Sequence, residues 1–142
     1  MNGLMINLDV PDLDAAVAFY TAAFDLRLSR RLFGGGVAEL VGLPAPLYLL
    51  AKAPGSIAAG THSRDYARHW TPLHFDIVVD DIDAAVARAV AAGAVLESPP
   101  SESDWGVLAA LADPFGHGFC FVEWRAGYDA VTASALTSDR AT

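Results

Sequence analysis

The chain has 142 residues, of which 54% are hydrophobic and 18% charged, and its formal net charge is −8 at pH 7. This length and balance fit one compact domain, or two half-size modules that share one core, and they exclude an intrinsically disordered chain. The acidic charge argues against a nucleic-acid or anionic-membrane surface, because binding phosphate needs a clustered basic footprint.

Two further classes of protein are disfavoured by the sequence. No apolar run reaches the ~20 residues that a membrane-spanning helix needs, and the N-terminus lacks the basic start and cleavage site of a secretion signal. We therefore expect a soluble, cytoplasmic protein. The single cysteine, Cys120, cannot form an internal disulfide, and there is no CxxC pair to hold zinc.

The first half of the chain predicts a β-α-β-β-β module. A strand, "GLMINLDV" from Gly3, is followed by a helix that Asp12 caps and that runs to about Phe24. Three strand-like segments come next, separated by glycine and proline turns: "LRLSRRLF", "GVAELVG" and "APLYLLAKA".

The second half repeats this order. The helix start "DLDAAVA" at Asp12 recurs as "DIDAAVA" at Asp81, 69 residues later. This second helix is predicted to run to about Ala92, between the strand "PLHFDIVV" and three further strands: "AVLES", "WGVLAALAD" and "GFCFVEW". Neither half could bury its sheet alone, so the duplication predicts an α+β fold in which two tandem βαβββ modules pack as one body.

The domain organisation follows from this repeat. We expect a first module over residues 1–53, a linker loop over 54–71, a second module over 72–124 and a frayed tail over 125–142. A loop as long as the linker is often a functional lid, although a solvated connector is an equally good interpretation.

The duplicated modules, the two helix starts and the closing "WGVLAALADPFGHGFCFVEW" resemble the vicinal oxygen chelate superfamily of glyoxalases, bleomycin-resistance proteins and extradiol dioxygenases. The resemblance covers residues 3 to about 124. It implies that the sheets curve into a cup for a small molecule, with the helices on the outside. It also implies that metal-using members hold a divalent ion there with His, Glu or Gln side chains from the first and last strands of each module.

The residues at those ligand positions depart from the metal-binding pattern of the superfamily. The four positions carry Met5, Tyr48, His74 and Cys120, of which only His74 is a good ligand. We therefore expect no metal cofactor. The alternative is a zinc, nickel or manganese site completed by carboxylates such as Asp76, which shares the strand face of His74.

Strand alternation identifies the side chains that could face the cup. It separates His74 and Asp76 from the apolar face of their strand, so His74 either lines a pocket or is a structural histidine held by hydrogen bonds. Trp70 and Trp105 precede strands and could wall the cleft, although plain core packing explains each equally well. A Cys120–His74 nucleophile pair is conceivable but lacks a third, orienting group.

These features predict a protein that binds or sequesters a small planar molecule, such as an antibiotic or metabolite, without a metal. The predicted ligand-binding residues are Met5, Tyr48, His74, Asp76, Trp105 and Cys120, with the 54–71 loop as a lid. The alternative is a metal-dependent lyase, isomerase or dioxygenase of the same superfamily. Half-open sheets also predict a homodimer, because exposed sheet edges favour a self-complementary partner.

Overall fold

The computed structural model describes residues 2–126. Its elements, in chain order, are β1 (Ile6–Val10), α1 (Leu13–Ala23), β2 (Arg27–Leu32), a short 3-10 turn (Phe33–Gly35), β3 (Val37–Val41), β4 (Leu47–Ala51), β5 (Ile57–Ala59), β6 (His62–Ser63), β7 (Phe75–Val78), α2 (Ile82–Ala92), β8 (Val95–Glu102), β9 (Gly106–Ala112) and β10 (Gly118–Trp124).

Both helices begin at the aspartates that the sequence predicted as caps. The Asp12 carboxylate accepts a hydrogen bond from the backbone N–H of Ala15, and Asp81 accepts one from Ala84, each at 3.0 Å. Each cap therefore satisfies a backbone donor that the first helical turn leaves without a partner. The second helix stops at Gly93, whose φ of 117° is in the left-handed region that favours glycine.

The strands form two four-stranded mixed sheets of the same topology, β1-β4-β3-β2 and β7-β10-β9-β8. In each sheet the first strand of the module pairs in parallel with the last, and the remaining pairs are antiparallel. The predicted α+β fold class with two βαβββ modules is confirmed.

The two modules share one hydrophobic core at the helix-facing sides of their sheets. α1 packs on β2, β3 and β4, α2 packs on β8, β9 and β10, and the helices also pack on each other. At this junction the Phe24 ring meets Phe119 and Phe121 of the second sheet edge-on, with centroids 4.9 and 5.8 Å apart. The apolar stripes of both helices are buried together in this core, on the side of the sheets away from their other face.

The other face of each sheet is open, and β1 and β7 lie at the free edges of their sheets. Large apolar side chains are exposed near these edges, including Met5 at 58% and Leu73 at 77%. Leu73 lies before β7 and is not part of the hydrophobic core. Each sheet thus keeps one face available for a ligand or a partner.

The turn between β9 and β10 is organised by one buried carboxylate, that of Asp113. Its Oδ1 accepts hydrogen bonds from the backbone N–H groups of Phe115 and His117, both at 2.8 Å. Its Oδ2 accepts from the Tyr20 hydroxyl of α1 and from His117 Nδ1, the latter at 2.7 Å. Burial, and then the Asp113 charge, raise the pKa of Tyr20 well above its usual value. This carboxylate therefore ties the second module to the helix of the first.

The linker between the modules contains a short hairpin, β5–β6, where the sequence predicted only a loop. Arg64 anchors it to β1 through an ion pair with Asp9 at 2.7 Å, and the Tyr66 hydroxyl donates to the carbonyl of Lys52. No alternating pattern predicts this hairpin, because its pairing is only a few residues long and is supported by tertiary contacts.

Across residues 2–126, neither helix combines the length and the apolar character that crossing a membrane requires. The predicted frayed tail over 125–142 lies outside the described residues from position 127 onward.

Candidate functional site

A cavity of about 210 Å³ opens on the exposed side of the second sheet, and we call it the second-sheet cavity. Its apolar lining comes from β9 and β10, and its polar lining comes from the linker, from β8 and from the segment before β7. The lining residues are Arg68, Trp70, Thr71, His74, Glu97, Ala110, Leu111, Gly118, Phe119 and Cys120.

Two of the predicted ligand-binding residues, His74 and Cys120, line this cavity. A third, Asp76, lies beside both: its Oδ1 is 3.5 Å from His74 Nε2, and it is the register partner of Cys120 on β10. Burial, reinforced by the Asp76 charge, raises the pKa of the Cys120 thiol. The thiol is therefore held in its neutral form, which is a poor nucleophile.

Arg68 of the linker crosses the cavity and is fixed by Glu97 of β8. Its Nε and Nη2 donate to the two carboxylate oxygens of Glu97 at 2.6 and 3.1 Å, which is a bidentate geometry. This pairing lowers the pKa of Glu97. Gly118 makes room for the guanidinium, because a Cβ at that position would lie 2.5 Å from Arg68 Nη2.

The linker supplies the outer wall of the cavity through Arg68, Trp70 and Thr71. The Trp70 side chain stands at the rim with 80% of its surface exposed, so a flat apolar surface is available for contact with a ligand. The linker thus lies where the predicted lid would have to lie.

The open face of the first sheet carries a separate polar row. Arg30, Glu39, Tyr48 and Asn7 are successive register partners across β2, β3, β4 and β1. Glu39 accepts from Arg30 at 3.0 and 3.1 Å and from the Tyr48 hydroxyl. The Arg30 hydrogen bonds, followed by that of Tyr48, lower the pKa of Glu39 to about 2.

Three predicted ligand-binding residues lie away from the second-sheet cavity. Tyr48 belongs to the first sheet and Met5 directly precedes its strand β1, and this sheet is separate from the second within this chain. Trp105 precedes β9 and packs edge-on against Trp124, with ring centroids 5.9 Å apart. The register places this pair at the opposite end of the sheet from His74, about 20 Å along the strands.

Sequence reasoning missed Arg68, Glu97 and Glu39. Glu97 lies at a register irregularity of β8, between the paired residues Leu96 and Ser98, so simple alternation does not give its direction. Arg68 sits in a linker without periodicity. Glu39 had a usable signal: it is the acidic residue between Ala38 and Leu40, whose side chains are buried on the helix side.

The donor atoms near the cavity do not form a metal centre. In the part of the chain that the structure describes, no three His, Cys, Asp or Glu side chains are grouped so that they could hold an ion. His74 with Asp76 provides one imidazole and one carboxylate, and the Cys120 thiol is not grouped with them as a third ligand. Within the described part of one chain, the residues near the cavity therefore do not supply the three grouped ligands that a divalent ion of this kind uses.

The chain is similar in sequence and in structure to known proteins. It is 36% identical over 100 residues to the anthracycline biosynthesis protein DnrV of Streptomyces peucetius, covering 68% of this chain and 34% of DnrV. The chain thus spans about a third of the length of DnrV.

Two solved structures share the fold at low sequence identity. The antibiotic-binding protein TnmS3 from Streptomyces sp. CB03234 is 21% identical, with a TM-score of 0.63 over 88% of this chain and 97% of that one. The fosfomycin resistance protein FosX from Listeria monocytogenes is 17% identical, with a TM-score of 0.69 over 93% and 98%.

The model of the glyoxalase-like domain family matches residues 5–122, which include both modules and the linker between them. The match agrees with the duplicated topology and with the superfamily that the sequence resembles. The chain therefore belongs to the glyoxalase-like domain family.

Proposed function

We propose that this protein binds a small planar molecule, such as an antibiotic or another aromatic metabolite, in the second-sheet cavity. The supporting observation is the composition of that cavity. A floor that includes Ala110 and Cys120 on the open face of the sheet lies beside a few convergent polar groups, with Trp70 at the rim. This combination is typical of small-molecule sites, in which apolar area supplies affinity and a few polar groups fix orientation.

The relatives support the antibiotic class of ligand. DnrV is named for anthracycline biosynthesis, TnmS3 is described as an antibiotic-binding protein and FosX as a fosfomycin resistance protein. For this chain we propose sequestration without chemistry on the bound molecule. The neutral Cys120 thiol and the lack of a three-ligand metal group among residues 2–126 support binding over a metal-dependent lyase, isomerase or dioxygenase reaction.

We further propose that the working unit is a homodimer in which a second copy of the chain completes the cup. The open faces and free edges of both sheets support this arrangement. A second copy could bring Met5 and Tyr48 of its first sheet opposite His74 and Cys120, which would unite the predicted residues that one chain keeps apart. Trp105 would contribute only to a ligand long enough to reach the far end of the sheet.

Dimerisation should be visible in solution. Light scattering coupled to size exclusion should give a mass near twice the 14.9 kDa of one chain at micromolar concentration. Met5→Glu places a charge on the open face and should shift the protein to the monomer, because the dimer would then have to bury a carboxylate against the partner. Asn2→Glu, which adds the same charge in the segment before β1, is the control. A wild-type mass near 14.9 kDa at micromolar concentration would refute the homodimer.

Ligand binding should appear as thermal stabilisation. A ligand present at about one hundred times its Kd should stabilise the fold by ~2.7 kcal/mol, which is roughly 5 to 15 °C in Tm for a chain of this length. A screen of aromatic antibiotics and planar metabolites would detect this shift. His74→Ala should weaken binding by ~1 to 3 kcal/mol through a lost hydrogen bond. Trp70→Ala should also weaken it, whereas His62→Ala, outside the cavity lining, should not.

Metal addition separates the two candidate functions. Zn²⁺, Ni²⁺ and Mn²⁺ should give no shift comparable to that of a planar ligand, because the donors near His74 are too few. If these ions raise the Tm by several degrees and His74→Ala abolishes the response, the metalloenzyme alternative replaces the binding protein.

A further inference from the structure

A second cleft, of about 420 Å³, lies where the two modules and the linker meet, and we call it the intermodule cleft. It is bounded by β1, by linker residues 63–71 and by turn residues 115–117. Thr71 is the one residue that it shares with the second-sheet cavity. Arg68 and Trp70 line the second-sheet cavity while His69 lines the cleft, so the linker is a partition between two sites.

The first group that defines the chemistry of the cleft is the imidazole of His117. Its Nδ1 lies 2.7 Å from Asp113 Oδ2, and the Asp113 side chain is fully buried. Since a carboxylate accepts, Nδ1 is the donor of this bond, and Nε2 is the acceptor whenever the ring carries a single proton. With 27% of its side chain exposed, His117 lines the cleft as a ring whose tautomer is fixed.

His69, on the linker side of the cleft, is fixed in the same tautomer. Its Nδ1 lies 2.8 Å from the backbone carbonyl of Ala67, which can only accept. With a single proton on the ring, Nε2 of His69 is therefore also the acceptor nitrogen. His117 of the second module and His69 of the linker thus provide the same kind of acceptor nitrogen at one cleft.

The charges that line the cleft favour a cation. Arg64 is the one basic side chain apart from the histidines, and its guanidinium is engaged by Asp9, the Ser56 hydroxyl and the carbonyl of Ile57. Asp65 has no ion-pair partner among the described residues. The charges of Asp9 and Arg64 cancel, so apart from the histidines the lining keeps the negative charge of Asp65.

We infer that the intermodule cleft binds a small polyhydroxylated molecule that carries a protonated amine. Its ammonium group would donate to His69, His117 and Asp65. Its hydroxyl groups would pair with the amide of Asn7 and the hydroxyl of Thr71, which line the same cleft. The volume lies within the range of ~300–1,000 Å³ that is usual for small-molecule sites. This site is separate from the proposed planar-ligand site.

Three probes of one shape test this inference: glucamine, a polyol with a terminal protonated amine; sorbitol, its neutral counterpart; and gluconate, its anionic counterpart. The chain has four histidines, so the ring Cε1–H resonances provide four positional reporters by NMR. Glucamine should saturably shift the signals of His69 and His117 and leave those of His62 and His74 unchanged. Sorbitol should act at least tenfold more weakly, and gluconate should have no effect.

Variants identify the groups responsible for binding. His69→Ala and Asp65→Asn alter exposed linker side chains, and each should weaken glucamine binding about tenfold or more, as expected for a lost hydrogen bond to a charged group. His62→Ala, on the exposed strand β6, is the matched control and should bind like the wild type. Calorimetry would give the Kd values, and far-UV circular dichroism would verify that each variant is folded.

Several results would overturn the inference. Equal or tighter binding of sorbitol or gluconate would remove the role of the amine. Unchanged glucamine affinity in His69→Ala and Asp65→Asn, or shifts confined to His62 and His74, would place the amine elsewhere. A planar ligand in the second-sheet cavity would shift the signal of His74, whereas glucamine in the intermodule cleft would shift those of His69 and His117. The experiment can therefore refute either proposed site without refuting the other.

Discussion

Replacing Asp113 with alanine should destabilise the protein by about 3–5 kcal/mol, because it leaves several buried hydrogen-bond donors without an acceptor. The Tyr20 hydroxyl and the Phe115 N–H both lie in the interior and both donate to this carboxylate. Each buried donor left without an acceptor costs ~1–3 kcal/mol. Urea denaturation followed by circular dichroism would measure the loss in the free energy of unfolding.

A double-mutant cycle with Tyr20→Phe isolates the contact between the modules. Tyr20→Phe removes the buried hydroxyl. In a protein that already carries this change, Asp113→Ala therefore leaves one donor fewer without an acceptor. The double variant should therefore lose at least ~1 kcal/mol less than the sum of the single variants. Asp113→Asn is the conservative control and should cost less than half as much as alanine, because its amide oxygen still accepts from the turn. Strict additivity would contradict the coupling of α1 to the turn through Asp113.

The Gly116→Ala substitution should cost about 2–5 kcal/mol and loosen the linker from the second module. At this position φ is +94°, which costs a side-chain-bearing residue ~1–2 kcal/mol. In addition, a Cβ would lie 2.6 Å from the carbonyl oxygen of Tyr66 and 2.9 Å from that of Ala67. Overpacking of this kind typically costs a further ~1–3 kcal/mol, because here the clash is with backbone that cannot rotate away.

Gly35→Ala is the matched control for that change. Gly35 has the same φ of +94° but has nothing within 4 Å of an added Cβ. Gly35→Ala should therefore show only the conformational cost. The difference in unfolding free energy between the two variants then measures the contact of the linker with the turn. Limited proteolysis should then cleave the 64–71 segment faster in Gly116→Ala than in Gly35→Ala. Equal stability losses and equal cleavage rates would show that the linker does not depend on this close approach.

Local patterns in the sequence were sufficient to predict the order of helices and strands within each βαβββ module. The repeated aspartate caps at Asp12 and Asp81, the strand alternation and the glycine and proline turns act over a few residues, so they predict helices and strands without knowledge of the fold. The face on which His74 and Asp76 lie was predictable for the same reason. The β5–β6 hairpin was not, because it is stabilised by Arg64 reaching Asp9 on a strand 55 residues earlier.

The sequence by itself determined the two βαβββ modules, their α+β class and the position of His74, Asp76 and Cys120 on one open sheet face. Only the tertiary structure decided how the modules meet, because the contact between the two helices and the bond from Tyr20 to Asp113 join residues that are distant along the chain. It also decided that Met5 and Tyr48 lie on a different sheet from His74 and that Arg68 crosses to Glu97. Such side-chain directions depend on bulges, close backbone approaches and long-range ion pairs, none of which leaves a periodic trace in the sequence.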